Sequence, residues 1–536
     1  MSRARVVAVV AGVGLVGCPS DDTTHDAETE AELTGGALTT GHEESTGDDP
    51  IVDDESSTGA SDPVVPIEYA RGIRLTRMTA NQGVQVELVH DGVEVSPDER
   101  DTRLIAGRRT LLRGFWTLHA DFEPRELVGQ LTIEYPDGST LEQSFVTRVE
   151  GESTDGGASF QWLLEPDEVV SGMRWRARVL EPDPALTTLE VSDPPPVLPL
   201  PDQGTIDVYE RPLELQVVLV PVRHQFEGCE STPEITEKDV EDLRNELEQM
   251  NPVQRAIFTV REPMLYTESI AAGPAFTPVL VELSKTRTDD GVADNVYYYG
   301  LLDSCDGFPP GLLGQAFGIP DGPTPENASQ RVSTGRWNGS GAAAARTFVH
   351  EIGHSQGRRH VRCSGGEAGV DVNYPHPNGR INVWGFGIYD FRLRTPTGGR
   401  DYMSYCADRW ISDYGWELVI PVIETLTSWD YELQEPKPRQ TMLYGVLHED
   451  GTQDWWTAPG GLPQSTTAEH AIVFEVGALP VSTPAFVQTI PHGSARLVVA
   501  PLPTALGAIT RAELHLANGP MHTIALASVD GSRKAN

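Results

Sequence analysis

Thr347-Phe-Val-His350-Glu351-Ile-Gly-His354-Ser-Gln-Gly357-Arg-Arg-His360 is the stretch on which the reading of this chain turns. Histidines four residues apart lie one turn apart on the same face of a helix, so His350 and His354 can reach one metal ion. Glu351 then stands beside that ion, placed to take a proton from water. Gly357 supplies a stop, because glycine tolerates the left-handed backbone that ends helices. The chain turns there and returns His360 as a third nitrogen donor. Three protein donors leave one tetrahedral position open, which is the pattern of a catalytic zinc site rather than a closed structural one. A surface helix that merely carries these residue types is the ordinary alternative. With 14 His in 536 residues, three His, a Glu and a Gly at these spacings arise by chance in about one such chain per ten thousand.

The pattern HExxHxxGxxH resembles the signature of the metzincin clan of zinc metallopeptidases. Downstream, Arg400-Asp401-Tyr402-Met403-Ser404-Tyr405-Cys406 is similar to that clan's methionine turn, with Met403 beneath the metal. Its Met-x-Tyr form looks like the astacin and serralysin branches. By that resemblance Tyr405 ligates zinc and swings to steady the transition state. The resemblance covers residues 210–425 and is specific between 347 and 406. The long Gly-, Pro- and aromatic-rich stretch from His360 to Met403 matches no one branch. The resemblance implies one catalytic Zn2+ on His350, His354 and His360, with Glu351 as base. It further implies a zinc endopeptidase cutting protein or glycoprotein outside the cell. An edge strand between Gly311 and Gly335 would form the upper rim of the cleft and pair with extended substrate. Two other classes stand beside this one. They are a non-catalytic surface adhesin or carbohydrate-binding lipoprotein with a structural zinc, and a hydrolase of non-peptide bonds. Glu367, Asp371 and Asn373 offer oxygen donors that suit Ca2+, although acidic loop residues are more commonly just solvated.

A net charge of −39 excludes nucleic acid as a partner, since phosphate binding needs basic surface. At the N-terminus Arg3 and Arg5 precede an apolar run from Val6 to Val16 that is too short to span a bilayer. It ends in Leu15-Val16-Gly17-Cys18, which resembles the lipobox of bacterial lipoproteins. That resemblance implies cleavage before Cys18, a lipid anchor on its sulfur, and a place in the bacterial cell envelope. The anchored chain would sit at the outer membrane, periplasmic or surface-exposed, as a monomer. Cys229, Cys305, Cys363 and Cys406 remain, an even number in an oxidising compartment, with three pairings open. The resemblance sets the segments after the third ligand and after the methionine turn against the same metal. It thereby implies Cys363–Cys406 and, with it, Cys229–Cys305. No CxxC spacing supports zinc on cysteine instead.

A chain of 536 residues needs several cores. After a signal peptide over 1–17, residues 18–63 are Asp-, Glu-, Ser-, Thr- and Gly-rich and read as a disordered acidic tether. Residues 64–192 read as β structure. Trp175, Ala177 and Val179 alternate with Arg174, Arg176 and Arg178, and Asp137-Gly138 signals a two-residue hairpin. These short strands suggest an immunoglobulin-like sandwich. A Pro-rich linker over 193–205 follows. The catalytic domain, 206–428, opens with a buried strand, Leu215-Gln-Val-Val-Leu-Val220. A helix capped by Thr236 with Asp239 comes next, then strands over 279–283 and 295–302. Trp410-Ile-Ser-Asp-Tyr-Gly-Trp416 and the run to Leu426 resemble the clan's C-terminal helix. Residues 429–536 return to a β pattern, in which Trp455-Trp456 pack a core or form a sugar platform. The expected fold is therefore multidomain α+β. A metzincin-like α/β catalytic domain is flanked by an N-terminal immunoglobulin-like β-sandwich and a small C-terminal β domain.

Overall fold

The computed structural model describes residues 3–4, 37–38, 68–186, 194–200, 203–273, 275–363, 365–431, 439–477 and 479–529. The signal peptide's apolar run, Cys18 and nearly all of the acidic tether lie outside the described residues. Among the described residues no helix is long and apolar enough to cross a membrane. The chain divides into two compact units, 1–210 with 383–398, and 211–382 with 399–536.

The first unit is built mainly of antiparallel strands around a large core, with a smaller cluster of Leu111, Phe386, Ile388 and Leu393 beside it. Ile73–Asn81, Gln85–His90, Thr110–Leu118 and Phe160–Leu164 belong to one sheet; Arg125–Glu134, Thr140–Val149 and Arg174–Leu180 belong to a second. Period-2 alternation decides which side chains face inward. Trp175, Ala177 and Val179 are fully buried, together with Trp116 and Trp162 of the facing sheet. The turn at Asp137-Gly138 joins the Arg125–Glu134 strand to its partner, but through three residues rather than the expected two: the Tyr135 N–H donates to the Ser139 carbonyl at 2.9 Å across residues 136–138, Gly138 takes a positive φ of 80°, and the Asp137 carboxylate accepts the Ser139 N–H at 2.9 Å. Val197–Leu198 and Gly204–Thr205, from the Pro-rich stretch, add short pairings to Arg174–Leu180.

The second unit carries the motif. Its central strand, Glu214–Phe226, pairs in parallel with Arg255–Val260, Met264–Tyr266 and Tyr297–Leu302. Val332–Arg336 continues the sheet in parallel, and Gly314–Ala316 closes it antiparallel at the edge. Four α-helices are present among the described residues: α1 Glu237–Gln249, α2 Thr277–Asp289, α3 Gly341–Ser355 and α4 Asp413–Tyr431. α1 starts on a complete capping box in which Thr236 and Asp239 satisfy each other's backbone N–H. Two four-stranded antiparallel sheets follow, Gln440–Leu447, Gln453–Gly460, Arg496–Pro501 and Phe486–Thr489 forming the first.

The expected fold class is corrected by this architecture. Strand outweighs helix by 38% to 19% and is spread over several small sheets, so this is not a helix-rich metzincin catalytic domain. The physical reason lies in residues 439–529. Met442, Tyr444, Val446, Leu497 and Val499 enter the same core as Val220, Val222, Leu280 and Leu283. Strands therefore cover apolar surface that helices would otherwise have to cover. A local reading also fails: 279–283 is not a strand but the first half of α2. Pro278 sits in its first turn, and Leu280, Leu283, Ser284 and Arg287 recur on its buried face. Trp455 and Trp456 are each 2% exposed and pack in cores, which removes them as a sugar platform.

Candidate metal centre

α3 owes its position to close approaches at both ends. Ser340 caps it, its hydroxyl accepting the Ala343 N–H at 3.2 Å. The Gly341 N–H donates to Asp239 Oδ1 at 2.7 Å, and a β-carbon on Gly341 would lie 2.3 Å from the Asp239 carbonyl oxygen. α1 and α3 can thus meet only through glycine. At the other end Gly357 has φ 91°, the left-handed backbone that a helix stop requires. His350, Glu351 and His354 all lie on the buried half of the helix.

Each of the three motif histidines holds its Nδ1 against a backbone carbonyl. His350 donates to Tyr402 at 2.8 Å, His354 to Arg358 at 2.8 Å, and His360 to Ala368 at 2.6 Å. A carbonyl oxygen only accepts, so the proton is on Nδ1 and every Nε2 carries a lone pair. The Nε2 atoms of His354 and His360 then face each other at 3.0 Å with no proton to share. His350 Nε2 is buried and has no hydrogen-bond partner. Converging lone pairs repel in the absence of a cation, whereas a metal ion would satisfy all of them. Metal-binding histidines are held in this way, the far ring N–H donating to a carbonyl so that the near nitrogen faces the ion, and the donor set fits a metal ion.

A fourth imidazole completes the group. His350, His354, His360 and His492 bring their donor atoms within 4.8 Å of one another. His492 lies between the paired strands Phe486–Thr489 and Arg496–Pro501, far from the motif in sequence. Sequence reasoning missed it, because only the shared core of the second unit carries that hairpin to α3. Its ring centroid is 4.8 Å from that of His360 and 5.2 Å from that of His354. Nitrogen-ligand chemistry suits zinc among other first-row ions.

Met403 is fully buried against the helix: a β-carbon on Gly353 would meet its Sδ at 2.5 Å and Tyr402 Cε2 at 2.8 Å. Gly353→Ala should therefore cost about 1–3 kcal/mol through overpacking and disturb the Tyr402 carbonyl that orients His350. Thermal unfolding with and without chelator checks this, and an unchanged melting curve would contradict it. Tyr405 sets its hydroxyl 3.1 Å from His360 Nε2 and 3.0 Å from His492 Nδ1. Burial raises the Tyr405 hydroxyl above its ordinary range, with the Glu351 carboxylate adding to it.

Glu351 is 2% exposed, and its Oε2 has no hydrogen-bond partner. Burial lifts its carboxyl well above the usual range; the Arg409 guanidinium and an Ala316 backbone hydrogen bond work in the opposite sense. Burial also holds His350 and His354 well below their ordinary value, and pushes His492 down to about 3, with His360 adding to the shift. A pH dependence follows for the metal-free protein. Below pH 6.5, the ordinary imidazole value, the unfolded chain takes up protons that these folded imidazoles refuse. The imidazoles' contribution is full above that pH and falls below it, by about 1.4 kcal/mol per pH unit for each, while the raised Glu351 carboxyl, which keeps its proton in the folded chain, works in the opposite sense and offsets one of them. Urea midpoints of chelated protein at neutral and mildly acid pH should show this fall; equal midpoints would contradict it.

A buried ion pair ties the helix stop to the turn that carries Tyr402 and Met403. Arg358 Nη2 lies 3.1 Å from Asp401 Oδ1, and both side chains are almost wholly buried. Burial alone would lower the Arg358 guanidinium, but the Asp401 carboxylate more than reverses this. Asp401 also accepts the Met403 N–H at 2.9 Å and the Ser412 hydroxyl at 2.5 Å. The disulfides are Cys363–Cys406 and Cys229–Cys305, as the resemblance implied. The first spans 43 residues beside the centre, a closure that contributes about 4 kcal/mol in the chain-entropy model. The acidic residues considered for Ca2+ are engaged separately. Glu367 accepts the backbone N–H groups of Cys363 and Gly365, while Asp371 accepts from Asn373 N–H and the Tyr414 hydroxyl.

No protein-family profile matches the chain, and no curated protein matches it.

Proposed function

We propose that the chain is a zinc-dependent hydrolase of peptide bonds, acting on protein or glycoprotein outside the cytoplasm from a lipid anchor on Cys18. The observation that carries this reading is Glu351, a buried carboxyl with an unpartnered oxygen among four imidazoles. A purely structural metal site has no need of such a group, and leaving it buried without a partner is costly. His350, His354 and His360 would hold the ion. Zinc supplies Lewis acidity there, making water nucleophilic near neutral pH and polarising a carbonyl.

The remaining steps belong to the chain. Glu351 Oε2 takes a proton from the attacking water and returns it to the leaving amine. The ion's charge, once present, offsets the burial that favours the protonated acid, so Glu351 can begin as carboxylate. The Tyr405 hydroxyl donates a hydrogen bond to the carbonyl oxygen as charge develops on it, a contribution of about 2–4 kcal/mol where such donors have been removed. Gly314–Ala316 is the edge of the central sheet, and a β-carbon on Gly314 would lie 2.8 Å from Glu351 Oε1. An extended peptide added to this edge would run past the base.

His492 favours a second reading, in which four imidazoles close a structural zinc in a surface adhesin. The test is cleavage of a denatured-protein mixture by the full chain, with and without chelator, and after zinc is restored. Chelator-sensitive cleavage that zinc restores is expected. Zinc bound tightly with no cleavage of any protein or glycoprotein would favour the adhesin.

A further inference from the structure

We infer that His492 is an intramolecular fourth donor, carried on the tip of a C-terminal hairpin, which closes the metal's open position and keeps the centre latent until the tip withdraws. The donor assignment stands on the geometry of His492; the latency rests in addition on the proposed hydrolase.

His492 also sets its Nδ1 against an oxygen, and because a hydroxyl accepts as well as donates, the tautomer with the proton on Nδ1 is the one that frees Nε2. Its Nδ1 is anchored on an oxygen, the Tyr405 hydroxyl at 3.0 Å, and its Nε2 is buried with no hydrogen-bond partner. That Nε2 lies 3.5 Å from Glu351 Oε1, in the space a water would need to reach the base. With Nδ1–H donated to Tyr405, the free lone pair of Nε2 is available to an ion. The backbone of His492 is left-handed, φ 57°, a conformation that Asn, Asp and His adopt more readily than other residues with a β-carbon.

The same hairpin covers the strand edge that substrate would need. Gln315, in the middle of Gly314–Ala316, is fully buried, and its amide donates to the Pro491 carbonyl at 2.8 Å. Gln488 brackets the next residues, its amide donating to the Ile319 carbonyl at 2.8 Å while its Oε1 accepts the Ile319 N–H at 3.0 Å. Ile490 and Ala495 root the loop in the core, but Gly493 and Ser494 at its tip are exposed. The movable part is short. A substrate strand must displace the tip from the Gly314–Ala316 edge, and the same displacement removes His492 from the centre.

The test uses the full chain, made metal-free and reloaded with Co2+, read by visible absorption as azide is added. The wild type should show the bands of a tetrahedral four-nitrogen site that azide does not move. His492→Ala and His492→Asn should both give altered bands that azide shifts further, and chelator should extract their metal at least about tenfold faster. Asparagine accepts the left-handed backbone, so agreement of the two variants excludes a folding defect. If azide moves the wild-type bands as readily as those of the variants, His492 is not a ligand and the inference fails, whatever the chain hydrolyses. The latency predicts that both variants cleave denatured protein at least about tenfold faster than the wild type. Azide-sensitive variants with no gain in cleavage would overturn it and leave the donor assignment standing. If in addition no form cleaves any protein or glycoprotein, the proposed hydrolase falls with the latency.

Discussion

Glu351→Gln is expected to lower hydrolysis about 10²–10⁴-fold while leaving the metal content unchanged. The amide keeps the shape and burial of the side chain but cannot take a proton from water. Its partners also predict little structural damage, since burial pushes Glu351 toward its protonated form, which an amide resembles, when no ion is bound. A fall in activity without loss of metal would assign the proton transfer to Oε2. Equal activity in the two proteins would remove Glu351 from the chemistry. Loss of metal along with activity would show instead that the carboxyl supports the ligands.

Asp401→Ala should have the largest effect on stability, about 3–5 kcal/mol, because it strands a buried guanidinium. Arg358 would lose its counter-charge at 3.1 Å, and the Met403 N–H would lose its acceptor at 2.9 Å. The consequence reaches the metal through two carbonyls. The carbonyl of Arg358, itself one partner of the pair, and that of Tyr402, next to Asp401 in sequence, orient His354 and His350 respectively. Metal affinity should therefore fall about 10–100-fold as well. Denaturant unfolding and a competition titration with a chromophoric chelator measure the two effects. A variant as stable as the parent would show that the pair is incidental to the turn.

What could be read from the sequence was local. The spacing of His350, His354, Gly357 and His360 placed three donors because one helical turn and one left-handed glycine fix their geometry. Thr236 with Asp239, and Asp137-Gly138, were legible for the same reason: each satisfies its own backbone within four residues. The alternation around Trp175 fixed a buried face without any knowledge of the partner sheet. What was not legible depended on distant contacts. Val279-Leu280-Val281 has the composition of a strand, and only packing against the central sheet and the C-terminal strands shows a helix there. The fold class failed in the same way, since nothing local says that 439–529 shares a core with Glu214–Phe226. His492 was hidden most completely. Pro491-His492-Gly493 reads as an ordinary turn, and its left-handed histidine is visible only in the backbone.

The central claim is that the buried imidazoles hold a metal ion, and metal content measured on the intact chain tests it most directly. Native mass spectrometry with elemental analysis should find one zinc per chain in the wild type and in Glu351→Gln, and little in His354→Ala. A folded wild type that carries no metal, and takes up none when zinc is supplied at neutral pH, would contradict the account at its root.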